Sequence, residues 1–123
     1  MTETILTPDS EILADKIVQG ILEKKGENIV KIDLRNMHNS ISDYFVICHG
    51  TSNRHVDAIS DSIVEEVRKE LGDKPNAVEG KNLAEWILID YVNVIVHVFQ
   101  EEQREHYALE DLWADAPTEN ITE

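Results

Sequence analysis

Apolar residues recur at Leu13, Ala14, Ile17, Val18, Ile21 and Leu22, which lays one apolar stripe along a helix. Thr7 is placed to cap this helix, Pro8 suits its first turn, and Asp9 and Glu11 favour the positive end of its dipole. Lys24 and Lys25 lie near the other end, and Gly26 is the predicted stop. The period then changes. Ile29 to Leu34 alternates, its Ile and Val positions broken by Lys31 and Asp33, and this predicts a strand. Tyr44 to Cys48 is an unbroken apolar run, the pattern of a strand buried on both faces. His49-Gly50-Thr51-Ser52-Asn53 breaks that run. Val56, Ile59, Ile63, Val67 and Leu71 then predict a second long helix, capped by Ser52 or Asn53 and ended by Gly72.

Asp73 to Asn82 reads as loop, carrying Pro75 and Gly80, with a short strand around Ala77 to Glu79. Trp86 to Ile89 and Val94 to Phe99 are β-rich runs. The link Asp90-Tyr91-Val92-Asn93 is short enough for an antiparallel hairpin. Glu101 to Trp113 starts as a helix, and Ala114 to Glu123 reads as frayed. The order predicts an α/β chain of the α+β type, one domain with a mixed β-sheet flanked by helices. On this reading residues 1–114 form the domain and 115–123 an acidic, disordered tail.

The 123 residues carry 25 acids against 11 bases, a formal net charge of −14. Nucleic acid held by its phosphates needs Lys and Arg to displace counterions, so an RNA-led or DNA-led mode is excluded. An anionic membrane surface is disfavoured for the same reason. A partner within a ribonucleoprotein is expected to be a basic protein. Cys48 is the one cysteine, which rules out an intrachain disulfide and a cysteine zinc cluster. Met1-Thr2-Glu3-Thr4 has neither the pattern of a signal peptide nor that of a transit peptide. The expectation is a soluble cytoplasmic protein.

Two segments could carry chemistry. His49-Gly50-Thr51-Ser52-Asn53-Arg54-His55 runs from a strand end into a helix start, where backbone N–H groups and a glycine suit an anion. Gly50, Thr51, Ser52, Arg54 and His55 are its candidate residues; the competing reading is a structural turn. The segment has neither phosphate-loop nor dinucleotide-loop spacing. A Gly-Ser turn after a strand also occurs in nucleotidyltransferases, which hold Mg²⁺ on an Asp-x-Asp or Asp-x-Glu pair in the following strand. Here the acids after the turn, Asp57, Asp61, Glu65 and Glu66, read as the solvent face of a helix, so that metal site is missing. His38, His49, His55, His97 and His106 show no metal-ligand spacing. No catalytic set and no cofactor site can be assembled.

The second segment is Glu79 to Trp86 and the hairpin after it. Trp86 and Tyr91 put two amphipathic rings on one hairpin, a composition that favours interfaces. The alternative reading places Trp86 in the core under the first helix.

Taken together, Asp43-Tyr44-Phe45-Val46-Ile47-Cys48, Gly50 to Val56, Glu79-Gly80, Glu85 to Tyr91, Val94 to Phe99, and Glu101 through Trp113 resemble the ribosomal silencing factor, or Iojap-like, family. The resemblance covers roughly residues 9–114. It implies a nucleotidyltransferase-like sheet without enzymatic activity or cofactor. It implies binding to the large ribosomal subunit through large-subunit ribosomal protein fourteen, obstruction of subunit joining under nutrient limitation, and a homodimer when free. A role in large-subunit assembly is the alternative, and a residual nucleotidyltransferase using Ser52 a remoter one. Trp86 and Tyr91, with Asp90 beside them, match positions of the ribosomal-protein contact. The family carries Gly-Asp after the position of Tyr91 where this chain has Val92-Asn93. Valine resists the positive φ that glycine allows, so the hairpin turn is expected to differ.

Overall fold

A computed structural model describes residues 9–38 and 40–122. Thr7 and Pro8 of the expected cap lie outside these residues. Asp9 takes the capping role instead, its carboxylate accepting the Glu11 N–H at 2.9 Å at the head of α1 (Ser10–Glu23). The expected stop also moves. Lys25, not Gly26, adopts positive φ, at 59°. Gly26 serves by being small, because a Cβ there would fall 2.3 Å from Ile21 Cγ2.

The chain continues through β1 (Glu27–Asp33), β2 (Tyr44–Gly50) and α2 (Asn53–Leu71). His49 and Gly50 extend β2 rather than break it. Ser52 caps α2, and Gly72 closes it at φ 68°. Next come β3 (Ala77–Glu79), β4 (Trp86–Asp90) and β5 (Val94–Gln100), followed by α3 (Glu101–Tyr107), α4 (Leu109–Leu112) and β6 (Thr118–Ile121). The six strands form one sheet in the order β3-β4-β5-β2-β1-β6. Only β2 and β5 pair in parallel, which makes the sheet mixed as the element order predicts.

Both helices with strong apolar stripes lie on one face. Ile17, Ile21, Ile59 and Ile63 pack there over Val46, Cys48, Val96 and Val98. Gly20 lets the helices touch, since a Cβ on it would sit 2.8 Å from Ile63 Cα. The opposite face carries Val30, Ile32, Phe45, Ile47, Ile95 and Phe99. The returning C-terminal segment covers part of it with Leu109, Trp113 and Ala116. The central strands β2 and β5 are thus buried on both sides, the physical reason for the unbroken apolar run of β2 and the apolar run of β5 interrupted only at His97.

Residues 115–123, expected as a disordered tail, contain a strand. β6 runs antiparallel to β1, pairing Ile29 with Ile121 and Lys31 with Glu119. The Asp33 N–H donates to the Pro117 carbonyl at 2.9 Å. Backbone groups along the free edge of β1 need partners, and almost any residue type can supply them. Thr118, Glu119 and Asn120 stay exposed.

Candidate functional site

The turn between β2 and α2 engages two of its backbone donors internally. Thr51 N–H donates to His55 Nδ1 at 2.9 Å, and His55 N–H donates to Ser52 Oγ at 3.1 Å. Because Nδ1 accepts, the ring proton sits on Nε2 and reaches the Lys24 carbonyl at 2.7 Å. His55 therefore ties the end of α1 to the turn. Gly50 is buried at the end of β2, and Arg54 is exposed. Asn53 donates to the Leu83 carbonyl at 2.7 Å and accepts from Gln100, which fixes the loop ahead of β4. Side chains of the turn itself thus engage the Thr51 and His55 N–H groups.

A second polar cluster is equally closed. Arg104, 8% exposed, donates through Nε and Nη2 to Glu110 at 3.1 and 2.5 Å. Its Nη1 donates to His49 Nδ1 at 3.0 Å, and His49 Nε2 lies 3.3 Å from Glu27. This network pins α3 and α4 to β1 and β2. Cys48 is buried, and desolvation pushes its thiol up to about 12, out of reach of nucleophilic chemistry. Among the described residues no cluster of three His, Cys, Asp or Glu side chains could hold a metal ion.

The remaining candidate is β4. Alternation puts Trp86, Leu88 and Asp90 on one face of the sheet, and Ile87, Ile89 and Tyr91 on the face under α1 and α2. Trp86 and Tyr91 therefore do not share a surface. Tyr91 is 6% exposed, and its hydroxyl has no hydrogen-bond partner. Burial raises its pKa well above the ordinary tyrosine value.

Trp86 is half-buried on the face opposite α1, so it does not fill the core beneath that helix. Its ring stacks on Phe99 at 4.9 Å and meets Tyr107 at 4.5 Å. Its Nε1–H donates to His97 Nδ1 at 3.1 Å. A shallow groove beside it is lined by Leu83, Glu85, Gln103 and Tyr107. Leu83 and Tyr107 are 67% and 49% exposed. Leu88 is half-buried, and Glu79 lies opposite it on β3. Sequence reading missed Leu88, Leu83 and Tyr107 as parts of this surface, and His97 as the buried residue behind it. For Leu88 the signal was available, because it keeps the parity of Trp86 and Asp90.

The hairpin turn is also resolved. Val92 takes φ 74°, and the Asn93 N–H donates to the Tyr91 carbonyl at 2.9 Å, a γ-turn. Asp90 Oδ1 accepts the Val92 N–H at 2.7 Å. The backbone adopts the positive φ despite the valine.

The family model described as "Ribosomal silencing factor during starvation" matches residues 7–123. The chain belongs to the ribosomal silencing factor family. It is 41% identical to a ribosomal silencing factor of Halalkalibacterium halodurans over 101 residues, covering 82% of this chain and 85% of the relative. It is 38% identical over 74 residues to a Mus musculus protein named for mitochondrial assembly of the ribosomal large subunit, covering 58% of this chain and 32% of that one. A crystal structure of a Chromobacterium violaceum protein superposes with TM-score 0.81 at 26% identity, covering 87% of this chain and 88% of that one. Among the described residues no helix is long and apolar enough to cross a membrane. The family's name sets the chain in a regulatory context.

Proposed function

We propose that this ribosomal silencing factor represses translation in the cytoplasm by binding the large ribosomal subunit through large-subunit ribosomal protein fourteen. The bound factor obstructs joining of the small subunit under nutrient limitation, and it acts by occupancy, without cofactor or catalysis. The observation that carries this reading is the strip Trp86–Leu88–Asp90, aromatic and apolar, rimmed by Glu79 and Glu85. Large rings at a partly exposed position suit the centre of an interface, and a carboxylate rim suits a basic ribosomal protein. Trp86 is the anchor and Asp90 its charged neighbour. Tyr91 supports the contact from behind by holding the hairpin. The same apolar strip would join two copies when no subunit is present, so homodimer and subunit complex compete.

A role in large-subunit assembly is the second reading, favoured by the printed name of the mouse relative. Cosedimentation with purified subunits tests the binding. The factor is expected to travel with the large subunit, and Trp86→Ala should weaken that association about thirtyfold, equivalent to about 2 kcal/mol. Wild-type affinity in a folded Trp86→Ala protein would refute the assignment of the surface. Subunit-joining and precursor-accumulation assays on the same variant separate repression from assembly.

A further inference from the structure

The run Val94-Ile95-Val96-His97-Val98-Phe99 is apolar except at His97, which is 4% exposed. It stands in β5 between Leu88 of β4 and Ile47 of β2. Its ring meets Phe45 at 4.9 Å and lies nearly parallel to Phe99 at 6.1 Å. One nitrogen, Nδ1, accepts from the Trp86 indole at 3.1 Å, so the ring proton is on Nε2. Nε2 is buried and has no partner. A buried donor left unpaired is costly, and leucine or phenylalanine at this place would avoid that cost. What histidine supplies and an apolar residue does not is the acceptor facing the indole.

We propose that His97 is the positioning residue for Trp86, holding the indole in the one orientation in which it meets the partner. This inference rests on the reading that the Trp86 face binds the large subunit. Phe99 and Tyr107 meet the ring at 4.9 and 4.5 Å, and the hydrogen bond to His97 fixes where its Nε1 edge lies. An anchor fixed before binding loses less side-chain freedom when the complex forms. A second consequence concerns the partner. The indole has a single donor, and it is used inside the protomer, so the partner meets Trp86 as apolar ring surface and needs no acceptor for it.

The test combines NMR with large-subunit cosedimentation. In the wild-type protein, ring nitrogen shifts of His97 should report the Nε2–H tautomer; an Nδ1–H tautomer would overturn the proposal without any variant. His97→Leu should move the Trp86 indole N–H resonance to the position of an unbonded indole and weaken subunit binding about tenfold. His97→Asn, whose amide oxygen can stand where Nδ1 stands, should restore the resonance and most of the affinity. With Trp86→Ala already present, His97→Leu should weaken binding no further. A folded His97→Leu protein that binds at wild-type strength, beside a Trp86→Ala protein that does not, overturns the positioning role alone. Wild-type binding by Trp86→Ala overturns the contact reading, and this proposal with it.

Discussion

Replacing Tyr91 with phenylalanine separates the two roles its position could play. The ring packs among the side chains under α1 and α2, and the hydroxyl is buried without a partner. Deleting a buried, unsatisfied hydroxyl removes a desolvation penalty of about 1–3 kcal/mol, while the ring keeps its contacts. An adjoining hollow lined by Asp73, Lys74, Asn76 and Asn93 can admit water near the hydroxyl, which favours the lower end of that range. Tyr91→Phe should therefore raise stability by about 1 kcal/mol, read as a higher urea midpoint at unchanged slope. In a domain of this size that corresponds to roughly 3–5 °C in Tm. Large-subunit binding should be unchanged, because the atom removed lies inside the protomer. A fall in stability of 1 kcal/mol or more would refute the reasoning, and so would a stable variant with weakened binding. The second result would make the hydroxyl a partner contact.

Three further outcomes follow from the same structure. Val92→Gly should stabilise the protein by about 1 kcal/mol, because a β-branched residue held at φ 74° is strained and glycine is not, and thermal unfolding reads it. Gly20→Ala should destabilise it by about 1–3 kcal/mol despite alanine's better helix propensity, because the added Cβ would lie 2.8 Å from the Ile63 backbone; denaturant unfolding checks this. Acid should weaken the fold between about pH 6.5 and pH 4. Burial holds His97 neutral with its pKa lowered to about 4, so the unfolded chain takes up this proton first as pH falls. The loss is on the order of 3 kcal/mol across that window, and His97→Leu should flatten the stability–pH curve there.

Much of the fold was legible because burial imposes a period. The stripes of α1 and α2, the apolar runs of β2 and β5, and the glycine after α2 each follow from one side chain facing one environment. β6 was not legible. Its role is backbone pairing, and Thr118, Glu119 and Asn120 carry no apolar signal for it. The candidate surface was half legible. Trp86 and Tyr91 stand out as large rings, but five positions apart in an extended strand is an odd separation, which sends them to opposite faces. The bond between Trp86 and His97 was out of reach, because it depends on the register that sets β4 beside β5.

The pairing of β1 with β6 has a consequence for synthesis. β1 is made before β6, so the outer edge of β1 stays open until Thr118–Ile121 has been translated. The parallel pair at the centre must likewise wait for α2 and the hairpin to emerge between β2 and β5. A nascent chain stalled before Leu109 would present a hydrogen-bonding edge together with uncovered Val30 and Ile32, the combination that recruits another strand. The closing strand thus makes the arrival of Thr118–Ile121 a condition for a sealed sheet.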